Sequence, residues 1–127
     1  MTNWPTQSTI RKVAWVYTGA ILLLVTLPIN GEKQLLGKLN DNYILQIRLD
    51  YFSHALMFIP WVLLVMNAGK ADGRYLALML AFAAFAEIIQ WVVPYRTFNI
   101  NDLAANVLGV ILGILLGKFF KLDRLAR

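Results

Sequence analysis

Three pairs of polar residues at helical spacing stand in an otherwise greasy chain: Asp50 with His54, Glu87 with Gln90, and Asp102 with Asn106. Residues three or four apart share one face of a helix, so each pair would point one way. An Asp that orients a His is an arrangement for general acid–base chemistry, with Glu87 as a second proton-carrying group. Arg96 adds a planar fork suited to a phosphate, a carboxylate or a developing anion. Asn99 and Asn101 add amides that could bond sugar or peptide groups. Ser53 adjoins His54, but neighbours on a helix point about 100° apart, which makes a Ser–His nucleophile pair improbable. The chain has no Cys, which excludes thiolate catalysis, disulfides and cysteine zinc sites. His54, Asp50, Glu87 and Asp102 form a conceivable nitrogen-and-oxygen ligand set, but no metal and no cofactor is assigned.

These groups need elements to hold them, and composition says what kind. Of 127 residues, 59% are hydrophobic and 15% charged, with mean hydropathy +0.60, against roughly 45–50% apolar and 25% charged in soluble domains. A membrane-spanning helix needs about 20 mostly apolar residues. Four runs fit: Val13 to Ile29, Tyr51 to Met66, Tyr75 to Val93 and Ile100 to Phe120. The expected fold is an all-α membrane protein, a single domain over 1–127 built as a four-helix bundle. Its transmembrane segments would be 12–29, 51–67, 75–93 and 101–120. The first run lacks a small-x-small cleavage site after it, so it reads as a retained anchor and not a removed signal peptide. The turn NAGKADGR, Asn67 to Arg74, makes runs two and three a predicted helical hairpin. Between runs one and two, YILQIRLD alternates, which suits a short strand, an interfacial segment or a helix start.

Counting Lys and Arg on alternate sides sets orientation. Arg11, Lys12, Lys70, Arg74, Lys118, Lys121, Arg124 and Arg127 fall on one side, and Lys33, Lys38, Arg48 and Arg96 on the other. Eight against four puts both termini in the cytoplasm. The net charge of +5 is scattered over ends and loops, so it marks topology and anionic-lipid contact, with no nucleic-acid partner expected. With that orientation the polar pairs share one level at the outer face. Glu87 lies seven residues before Pro94, roughly 10 Å below the end of its helix at 1.5 Å per residue. A carboxylate at that depth must face protein, water or a partner charge.

Asp102, Asn106, Gly109, Gly113 and Gly117 fall on one stripe of run four, and the glycines make two overlapping GxxxG steps that admit a close neighbour. Ala81, Ala83, Ala84 and Ala86 of run three are the expected partners, which would bring Glu87 toward Asn106. The same face is a candidate for a homo-oligomer.

Taken together, Asp50-x3-His54-x3-Phe58 and Glu87-x2-Gln90-x3-Pro94-x-Arg96-x5-Asp102-x3-Asn106-x2-Gly109-x3-Gly113 resemble the VanZ-like family of small bacterial membrane proteins. That family is named for a protein associated with low-level teicoplanin resistance. The resemblance implies a multi-pass protein of the bacterial cytoplasmic membrane. It departs from the family pattern at Tyr51, where members often carry Lys, and at Asn99, where they often carry Ser. The missing Lys removes one positive charge from the cluster.

Four uses of the cluster remain open on these residues. It could bind the headgroup of an envelope lipid, glycolipid or glycopeptide, with Arg96, Gln90, Asp102, Asn106 and Asn99 as contacts. It could act as an acid–base enzyme through His54, Asp50 and Glu87. It could be a polar lock, with Glu87 and Asp102 paired to Arg96, Asp50 orienting His54, and Gln90 and Asn106 bridging runs three and four. Transport fits least, because the inner halves of runs two to four carry almost no polar residue.

Overall fold

A computed structural model of the chain describes residues 5–27, 43–44, 47–69, 72–94 and 98–122, and of residues 43–50 the backbone alone. Four helices dominate: α1 (Gln7–Thr26), α2 (Leu49–Ala68), α3 (Gly73–Val92) and α4 (Ile100–Phe119). Each has 20 residues, about 30 Å of helix, which matches the hydrocarbon thickness of a bilayer. All four contain spans long and apolar enough to cross a membrane. The all-α four-helix architecture is therefore as expected.

Polar residues start these helices. The Thr6 hydroxyl accepts from the backbone N–H of Thr9 ahead of α1, and the Asp72 carboxylate accepts from the N–H groups of Arg74 and Tyr75 ahead of α3. These caps satisfy donors that a helix start leaves open. Helix α1 begins five residues before the expected 12 and ends three before the expected 29. Hydropathy marks the greasy middle of a helix and misses its polar first turn, while Pro28 pushes Leu27 into extended backbone (φ −65°, ψ 141°). The alternating YILQIRLD resolves into two elements. Tyr43–Ile44 (β1) and Ile47–Arg48 (β2) pair antiparallel, with Tyr43 opposite Arg48, and α2 starts at Leu49.

Helices α1 and α4 each pack on α2 and α3. The closest pairing is α2 with α4, which run parallel. Gly109 lies against the backbone of Ala55, Gly113 against Ile59 and Val62, and Gly117 against Leu63 and Met66. This corrects the expected partnership of the glycine stripe with the alanines of α3. Of those alanines, Ala83 and Ala86 are buried in the core and Ala81 faces outward. Chain neighbours α2 and α3 follow one another across the short stretch between Ala68 and Gly73, as the expected hairpin does. Large rings separate them: Phe82 of α3 packs on Trp61 and Phe58 of α2 at centroid distances of 4.7 and 6.2 Å. Within the chain this glycine face is covered by α2.

Helix α1 is pinned by polar atoms as well as by Ile21 and Val25 in the core. The indole N–H of Trp61 donates to the Thr18 hydroxyl at 2.7 Å, which in turn donates to the carbonyl of Ala14 at 2.8 Å. Tyr17 donates its hydroxyl to the carbonyl of Met57 at 3.2 Å. In hydrocarbon such groups have no water to turn to, so they find partners inside the bundle. Toward the outside the helices show apolar side chains, among them Trp15, Val16, Leu56, Leu78, Trp91 and Leu115.

Candidate functional site

The start of α4 organises the polar end of the bundle. Asn99 caps the helix, its side-chain oxygen accepting from the N–H of Asn101 at 3.0 Å. Its own backbone N–H donates to Glu87 Oε1 of α3 at 3.0 Å. In a capping box that N–H would be taken by the acidic side chain three residues on, here Asp102. Glu87, fully buried, fills that place from a different helix. Its carboxyl group also sits where the positive end of the α4 dipole favours negative charge.

Asp102 is directed toward α2. Its Oδ2 lies 4.0 Å from Nε2 of His54, and the other ring nitrogen, Nδ1, is 3.0 Å from Oδ1 of Asn106. The stripe that carries the glycines thus continues outward as Asn106 and Asp102, and His54 meets both. Asn106 is fully buried, whereas the His54 and Asp102 side chains keep 19% and 13% of their surface exposed. One turn further out, the Asn101 amide donates to the Tyr51 hydroxyl at 3.2 Å. Tyr51 thus ties α2 to α4 by a neutral contact.

Asn106 has one amide atom too many for this arrangement. Its Nδ2 is buried and has no hydrogen-bond partner among the described residues. Two proton arrangements suit His54. An imidazolium donates to Asn106 Oδ1 and faces the Asp102 carboxylate with its other N–H, 4.0 Å away, leaving the Asn106 NH2 unmatched. A neutral ring with its proton on Nε2 donates toward Asp102 and accepts from a rotated Asn106, whose carbonyl is then unmatched. In either state one buried amide atom of Asn106 lacks a partner, a cost of about 1–3 kcal/mol unless water or a ligand supplies one.

The expected site residues fare differently. His54, Asp102 and Asn106 come together, and Glu87 and Gln90 are buried on one face of α3. The polar-lock reading has Gln90 and Asn106 bridging α3 and α4; Asn106 instead bonds His54 of α2, because the glycine stripe below it turns that face toward α2. Asn99 caps a helix. Among the described residues no three His, Cys, Asp or Glu side chains cluster closely enough to hold a metal ion. The side chain of Asp50 and all of Arg96 lie outside the described residues, as do the expected Asp50–His54 contact and the pairing of Arg96 with Glu87 or Asp102. The Tyr51–Asn101 contact and the capping by Asn99 went unread in the sequence. The second had a signal in Asn99-x-x-Asp102, an N-cap residue with an acid three positions on.

A family model described as VanZ/LLP1 matches residues 3–121. No curated protein and no solved structure gives a significant match.

Proposed function

The chain belongs to the VanZ-like family of membrane proteins, and from that premise we propose that its polar end binds the headgroup of an envelope lipid, glycolipid or glycopeptide at the outer leaflet. The observation that carries this reading is the unmatched amide atom of Asn106, buried beneath two partly accessible side chains, His54 and Asp102. A protein that needed only a fastening between helices would gain nothing from a polar atom left over in hydrocarbon. Arg96 supplies the phosphate or carboxylate contact in this reading. Gln90, Asp102 and Asn106 supply hydrogen bonds, and the exposed Trp91 serves as an aromatic belt residue. The protein sits in the bacterial cytoplasmic membrane with the cluster outward, where a glycopeptide with a lipid tail, such as teicoplanin, meets the bilayer.

The test is lipid capture. Native mass spectrometry of the purified protein is expected to show a retained lipid that Arg96→Ala loses. In cells, Glu87→Gln, Arg96→Ala and Asp102→Asn are expected to abolish the resistance phenotype, while in detergent the purified Arg96→Ala and Asp102→Asn proteins keep their thermal stability and Glu87→Gln loses at most about 1 kcal/mol. Loss of stability in step with the phenotype in all three would favour a polar lock instead. That reading draws on the bonds from Asn106 to His54 and from Asn99 to Glu87, both of which join different helices.

A catalytic reading rests on the placement of His54 between Asn106 and Asp102. There the imidazole could pass a proton to a bound headgroup, with Glu87 holding α4 in position. Turnover of a labelled glycolipid, abolished by His54→Gln, would establish it. Retention of the lipid without turnover supports binding alone.

A further inference from the structure

We infer that the part of the headgroup reaching His54, Asp102 and Asn106 is an uncharged hydroxyl-bearing group, a polyol or a sugar. The inference rests on the headgroup-binding reading and sharpens it. The three side chains converge: Asp102 and Asn106 are four residues apart on α4, and one imidazole ring lies 4.0 Å from the first and 3.0 Å from the second. Any ligand there must satisfy the amide atom that Asn106 leaves over.

The chemistry of that atom selects the ligand. When His54 is an imidazolium the unmatched group is the amide NH2, which needs an acceptor. When His54 is neutral and Asn106 is rotated, it is the carbonyl, which needs a donor. An ammonium group only donates, and a phosphate or carboxylate oxygen only accepts, so each suits one state and opposes the other. A hydroxyl donates and accepts, so it suits both. Charge points the same way. An anion would lie beside the carboxyl group of Asp102, and a cation would meet the imidazolium in one of the two states. A neutral hydroxyl avoids both conflicts, and a second hydroxyl on the same group can donate to Asp102.

The experiment offers the purified protein, in detergent, an equimolar mixture of four lipids with identical acyl chains. These are phosphatidylglycerol, monoglucosyl diacylglycerol, phosphatidylethanolamine and phosphatidic acid. Native mass spectrometry then reads which are retained. The first two are expected to exceed the last two by about fivefold, the ratio that one net hydrogen bond of about 1 kcal/mol provides. Asp102→Asn and Asn106→Leu are expected to bring phosphatidylglycerol and phosphatidic acid to within about twofold of each other. If Asn106→Leu fails to fold, Asp102→Asn carries the same readout, since it keeps the side chain's size. Equal retention of phosphatidic acid by the unaltered protein, lost in Arg96→Ala, would overturn the hydroxyl inference and leave headgroup binding standing. A preference for phosphatidylethanolamine would overturn it in favour of an ammonium ligand. Retention of none of the four above a phosphatidylcholine control would remove both.

Discussion

Glu87 and Asp102 are both carboxylic acids near the start of α4, yet their surroundings separate what each can do. Glu87 accepts the N–H of the capping residue, Asn99, from across a helix interface. Asp102, three residues into the helix and so the natural owner of that bond, points to His54 instead. Glu87 is therefore a positioning residue, because its bond holds the first turn of α4 where Asp102 and Asn106 can reach His54. The consequence is measurable. Glu87→Ala leaves the Asn99 N–H without that acceptor and is expected to cost about 1–3 kcal/mol of stability in detergent unfolding. Glu87→Gln keeps an acceptor oxygen at the same reach and is expected to cost less than half as much, losing mainly the charge at the helix end, about 0.3–1 kcal/mol. Equal losses from the two variants would mean that the side chain's volume, and not its bond to Asn99, is what the bundle needs.

Helix α4 owes its partner to three glycines, and their neighbours rank them. An added methyl at Gly109 would meet the backbone carbonyl and Cα of Ala55, neither of which can move without moving α2. At Gly117 it would meet the thioether end of Met66, a flexible side chain that can turn aside. Gly19 of α1 has nothing within 4 Å of the same position. Gly109→Ala is thus expected to destabilise the bundle by about 2 kcal/mol or more, within the 1–3 kcal/mol usual for overpacking. Gly117→Ala should cost clearly less, and Gly19→Ala should be neutral or mildly stabilising, by up to about 1 kcal/mol, through helix propensity. A Gly109→Ala protein as stable as the parent would refute the close α2–α4 contact. The glycine stripe itself was legible in the sequence, because period and residue size are local properties. Its partner was not. Alanines on α3 and the ridge Ala55, Ile59, Val62 and Met66 on α2 were both open to it, and only the fit of whole helices decides between them. The polar level was legible for the same local reason, since Glu87, Gln90, Asp102 and Asn106 each lie a fixed number of turns from a helix end. The contacts among them followed the helix pairing and were lost with it.

At the scale of the molecule, the number of spans and the charge count together set the expectation for which way the site faces. With four crossings both termini share a side, and the turn near Gly73 shares it too, while the ends of α2, α3 and α4 that carry the polar cluster lie on the other. Lys and Arg favour the first side by eight to four, and cytoplasmic loops carry the excess of such residues. The chain lacks Cys, so single cysteines can report the topology without background. Lys70→Cys is expected to react with an impermeant thiol reagent only after the cells are opened, and Thr97→Cys before. Charge as the cause, and not merely the correlate, has its own test. In the Lys70→Cys protein, replacing Arg11, Lys12 and Arg74 with Gln leaves four basic residues on each side, as does replacing those three and Lys70 with Gln in the Thr97→Cys protein, and each cysteine is then expected to label as a mixture of orientations. Labelling that stays one-sided would mean that the apolar spans alone set the insertion. Outward labelling of Lys70→Cys in the unaltered background would turn the cluster toward the cytoplasm. The ligand would then have to be sought among inner-leaflet headgroups, with the hydroxyl selectivity of His54, Asp102 and Asn106 unchanged.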